Sequence, residues 1–86
     1  MGNSHFVVVL DWAYDKVYDE GIEIVAVTHT LEEAKEFFQS RLAEERKFAN
    51  DQDWDIVTDD EVEFAAAKLG YYTTDHTHLY IEEVRN

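Results

Sequence analysis

Four aspartates, Asp51, Asp53, Asp55 and Asp59, punctuate residues 50–63 (NDQDWDIVTDDEVE), a run with seven carboxylates and no lysine or arginine. Oxygen ligands at this spacing suit calcium, and the four fall on positions 1, 3, 5 and 9 of the calcium-binding loop pattern. The match fails where that geometry is strictest. The turn glycine is replaced by Ile56 and the bidentate glutamate by Val62, with Glu61 and Glu63 one residue to either side. A solvated acidic loop with at most weak affinity for a divalent cation is the expectation.

His76 and His78 form a second constellation. Residues i and i+2 share a face on a strand, so both imidazoles could reach one metal ion, with Asp75 or a cross-strand carboxylate as third ligand. The plainer expectation is that His76 caps a turn and His78 lies on a sheet surface. The chain has no cysteine, which removes zinc–thiolate sites, disulfides and thiol chemistry. Ser4 and Ser40 lie in no G-x-S-x-G setting, and Gly2, Gly21 and Gly70 build no phosphate-cradling loop. Carboxylates are too abundant here to single out a glycosidase pair. The sequence thus points away from catalysis and requires no cofactor.

Charge narrows the partners further. Twenty acidic side chains against seven basic ones leave a formal net charge of −13 in 86 residues. Phosphate backbones and anionic lipid surfaces would repel such a chain, so direct nucleic-acid or membrane binding is not expected. A basic protein is a different matter. Carboxylates spaced like phosphates could occupy its groove as a nucleic-acid mimic, with Asp59, Asp60 and Glu61 in contact. The acidity overlies a real core, because 45% of the residues are hydrophobic and 14% aromatic. One domain over 1–86 is expected at this length. No basic segment followed by a long apolar run is visible near Met1, which suggests a soluble cytoplasmic protein.

The elements that must position these groups follow from periodicity. His5 to Trp12 (HFVVVLDW) reads as an interior strand, its apolar run being nearly continuous. Ile22 to His29 (IEIVAVTH) reads as its hairpin partner, with His5 opposite His29 and Trp12 opposite Ile22. Thr30-Leu31-Glu32-Glu33 fits a capping box opening a helix over about 31–49. Its apolar stripe runs through Leu31, Ala34, Phe38, Leu42 and Ala49, widened by Phe37 and Phe48. Residues 54–57 suggest a short strand. Residues 60–69 satisfy both a helix and a strand, with strand preferred because it would shield the strand at 78–84. Tyr71-Tyr72-Thr73 and Leu79-Tyr80-Ile81 read as a hairpin turning at Thr74-Asp75-His76.

The sum is an α+β two-layer sandwich, β-β-α-β-β with a further short strand or helix at 60–69, one helix covering one face of an antiparallel sheet. Tyr14, Tyr18, Tyr71, Tyr72 and Tyr80 would furnish the other face, and Trp12 and Trp54 would sit in the core or at its rim. The capped helix start TLEEAK after a β-hairpin, with the tail Phe64-x-Ala66, Gly70-Tyr71-Tyr72 and His76-x-His78-Leu79-Tyr80-Ile81, resembles small, functionally uncharacterised acidic proteins of Gram-positive bacteria and their phages. That resemblance implies an accessory protein and transfers no catalytic residue. The leading expectation is a non-catalytic interaction module that forms a homodimer through the uncovered sheet face.

Overall fold

The computed structural model describes residues 4–14, 19–68 and 75–85. Five strands and one helix follow in the order β1 (Ser4–Tyr14), β2 (Asp19–Thr28), α1 (Leu31–Asp51), β3 (Asp55–Asp59), β4 (Glu63–Ala67) and β5 (His76–Arg85). All described strand pairs are antiparallel, in the sheet order β2-β1-β5-β4-β3. The α+β two-layer architecture is the expected one, and the ambiguous segment at 60–69 contains strand β4.

β1 is an interior strand, bonded to β2 on one side and β5 on the other. Its alternation explains the layering. Phe6, Val8, Leu10, Trp12 and Tyr14 belong to or pack on the core beneath α1. Side chains alternate across a strand, so His5, Val7, Val9, Asp11 and Ala13 project from the opposite face. On β5 the helix side carries Thr77, Leu79 and Ile81, and on β4 it carries Phe64 and Ala66. α1 lays Ala34, Phe38, Leu42 and Ala49 onto this surface. Phe38, Phe64, Leu42, Leu79 and Val8 are fully buried, each burial contributing about 1.5–3 kcal/mol. Phe48 widens the helical stripe as expected, but Phe37 is half exposed.

The hairpin register is half as expected. Phe6 faces Thr28 and Val8 faces Ala26, consistent with His5 meeting His29. A bulge between Val8 and Val9 then shifts the pairing, so Trp12 faces Gly21 and Ile22 faces Asp11. One extra residue in β2 absorbs the shift. The new partner matters: a Cβ on Gly21 would lie 2.9 Å from Trp12 Cζ2, so the indole rests where only a glycine leaves room.

Both helix ends are specified locally. Thr30 Oγ1 accepts the Glu33 amide at 3.2 Å and donates to the Glu33 carboxylate at 3.1 Å. At the other end, Trp54 N–H reaches Ala49 O at 2.9 Å and Asp53 N–H reaches Asn50 O at 3.1 Å. This is the paired closure of a Schellman motif. Asp53 holds its left-handed position at φ 60, where a glycine is usual. The apolar contact that accompanies the motif is present, because Trp54 and Ala49 are both buried in the core.

Candidate functional site

The six metal candidates do not assemble. Asp51 pairs with Lys47 at 3.2 Å, Asp53 closes the helix, Asp55 opens β3, and Asp59 at the far end of β3 takes the Arg46 guanidinium. What looked like one chelating run is split between a helix terminus and the two ends of a strand. His76 and His78 do share one sheet face, but each meets a separate carboxylate: His76 Nε2 lies 3.3 Å from Asp11 Oδ1, and His78 Nε2 lies 2.7 Å from Glu63 Oε2. An ionised carboxylate only accepts, so each Nε2–H donates. Among the described residues no three His, Asp or Glu side chains are grouped to hold a metal ion. His76 is the first residue of β5, paired with Ala67 on one side and Ala13 on the other, and the turn it is expected to cap lies partly outside the described residues.

The acidic run is largely engaged within the chain. Asp60 Oδ1 accepts the amides of Val62 and Glu63, both at 2.8 Å, and so builds the β3–β4 turn. Glu61, well exposed, lies 3.5 Å from the partly buried Lys35, and Glu63 holds His78. With Asp51 and Asp59, these account for five of the seven carboxylates of residues 50–63.

Tyr14 is also corrected. It lies on the helix side, its ring 5.3 Å from Phe48 and 5.5 Å from Trp54, with Phe48 edge-on to Trp54 at 5.3 Å. Tyr80 is on the open face, its ring centroid 4.5 Å from that of His78. Tyr18, Tyr71 and Tyr72 lie outside the described residues, as does Thr74 of the expected turn.

Two surfaces emerge that single residue types did not mark. The first is the sheet face opposite α1. Ile22, Ile24 and Val27 of β2 stand there, 68%, 56% and 61% exposed, across from Asp11, Val9 and Val7. Val9, though outside the main core, is only 4% exposed beneath them. Val84 lies opposite His5 on the same side. His5 packs its ring 5.2 Å from that of His29, so the four histidines of the chain all lie on or beside this face.

The second is a cleft of about 400 Å³ between α1 and the β1–β2 hairpin. Leu10 forms its floor, Trp12, Tyr14 and Phe48 its aromatic wall, and Asp19, Glu23, Glu44 and Glu45 its acidic rim. Arg41 crosses the rim. Its terminal nitrogens donate to both oxygens of Glu23 at 2.9 and 3.0 Å. Its Nε lies 3.2 Å from Glu44 and 3.5 Å from Glu45, in ion-pair contact without hydrogen-bond alignment. The Glu23 bond, with these carboxylates, holds the guanidinium pKa above its ordinary value against the opposing cost of burial. Glu45 is buried and accepts the Thr77 hydroxyl at 2.9 Å. Burial raises the Tyr14 phenol above its usual value, and the carboxylates of Glu45, Asp19 and Asp75 add to the shift.

No family model, no curated protein and no solved structure matches the chain. Among the described residues no helix is long and apolar enough to cross a membrane.

Proposed function

We propose that this protein is a non-catalytic interaction module that self-associates through the open face of its sheet. The observation that carries this reading is the exposed stripe Ile22, Ile24 and Val27 over a buried Val9. A second copy is the occupant that fits by area. Three strands of 10 or 11 residues and two of 5 project a face of about 650 Å², at ~4.8 Å between strands and ~3.3 Å per residue. A pleated surface exceeds its projection, which brings the face near the ~800 Å² per partner of a stable interface. Two such faces related by a two-fold axis would form a four-layer dimer with both helices outside. On this face Asp11 and Glu63 are hydrogen-bonded to His76 and His78, while Glu82 stands opposite Val7 on the same side. A basic partner at residues 50–63 has less support, because most of those carboxylates hold partners within the chain.

Sedimentation equilibrium across protein concentration tests the proposal. The wild-type chain should be dimeric at tens of micromolar, roughly, and Ile24→Lys should be monomeric with an unchanged circular dichroism spectrum. A wild-type monomer at about 1 mM would overturn it.

A further inference from the structure

We infer that the cleft between α1 and the β1–β2 hairpin binds a small aliphatic ammonium compound, its hydrocarbon body on the aromatic wall and its charge at the acidic rim. The volume is suitable, because about 400 Å³ lies within the range of small-ligand sites, roughly 300–1,000 Å³. The lining is suitable too: Trp12, Tyr14 and Phe48 are aromatic, and aromatic rings attract a cation electrostatically, beside the apolar Leu10.

The rim decides the sign of the charge. Four carboxylates stand against one guanidinium, leaving three negative charges in excess. Arg41 is not free to take an anion, because Glu23 grips it with both oxygens and its Nε faces Glu44 and Glu45. Burial is the main cause of the raised Tyr14 phenol, and Glu45, Asp19 and Asp75 add to it by opposing a negative charge there. A bare divalent cation fits less well, because no three carboxylates or imidazoles among the described residues are grouped as ligands. A cation with an apolar stem uses both halves of the cleft.

Titration with 1,5-diaminopentane, followed by tryptophan fluorescence and calorimetry, tests this directly. Saturable 1:1 binding with a dissociation constant of about 1 mM or tighter is expected. The uncharged 1,5-pentanediol should bind at least about ten-fold more weakly. Glu44→Gln removes one rim charge from a side chain that is 71% exposed, so folding should survive; it should weaken binding about three-fold or more. Glu82→Gln on the open sheet face removes the same charge elsewhere and should leave binding unchanged. Equal weakening by both variants would show a general attraction to an acidic protein and overturn the site. Equal affinity for the diol, or no saturation up to about 50 mM amine, would overturn it as well. The cleft and the proposed dimer face lie on opposite sides of the sheet, so the two readings fail separately.

Discussion

Replacing Asp53 with glycine should make the protein more stable. Asp53 is the only described non-glycine residue at positive φ, held at 60° by the helix closure around it. A Cβ in this region costs about 1–2 kcal/mol, with aspartate near the lower end because its side chain tolerates the conformation. Its carboxylate also sits at the negative end of the helix dipole, which costs a further ~0.3 kcal/mol at an exposed site. Glycine forfeits about 0.7 kcal/mol through the greater freedom of its unfolded chain. The balance is a gain of about 0.5–1 kcal/mol for Asp53→Gly, or roughly 3–6 °C in midpoint for a domain of this size. Asp53→Asn should gain less, since it keeps the Cβ and loses only the charge. Asp53→Ala keeps the Cβ and loses local hydrogen bonding, so it should fall below wild type. Urea unfolding of the four proteins at one pH reads the order Gly, Asn, Asp, Ala. If alanine equals or exceeds glycine, the left-handed strain is not the controlling term and the reasoning fails.

Two further perturbations examine the helix side of the sheet. Thr77→Val and Glu45→Gln, singly and together, should show a coupling energy of about 1–2 kcal/mol in urea unfolding, because the bond between them is buried and charge-assisted; additivity within ~0.3 kcal/mol would mean that they act independently. The raised Tyr14 phenol makes the folded state retain a proton that the unfolded chain releases. Its stabilisation is therefore complete below about pH 10 and is lost as pH rises through the folded value. The urea midpoint of wild type should fall over that interval, and Tyr14→Phe should fall less.

Local chemistry carried the fold reading furthest. Thr30 and Glu33 marked the helix start because a capping box is written within four residues. The strand at 63–67 was readable only in part, because Phe64-Ala65-Ala66-Ala67 has helical propensity and becomes extended through pairing with His76–Tyr80. The helix ends close to Asn50, as its periodicity predicts, but the device that ends it has no local signature. Asp53 stands where glycine would have advertised a stop, and its neighbours Asp51 and Asp55 suggested a chelating row instead. Tyr14 shares the parity of Leu10 and Trp12, so strand alternation, rather than its amphipathic type, decides its face. The bulge after Val8 has no mark in the sequence, and it alone brings Gly21 beneath Trp12. The cleft was invisible for a different reason. Leu10, Arg41 and Glu23 come from three elements, and nothing local in the chain announces their convergence.

The position of β5 has a consequence for synthesis. Within the sheet the two hairpins, β1–β2 and β3–β4, are bridged by β5, which hydrogen-bonds to β1 and β4. Ser4 pairs with Arg85, so nearly the full described length must leave the ribosome before the sheet can close. Until then both inner edges, β1 and β4, stand open to any passing strand. Closure of the sheet thereby waits on the last described strand, and like charge opposes contact between copies whose inner edges are still open.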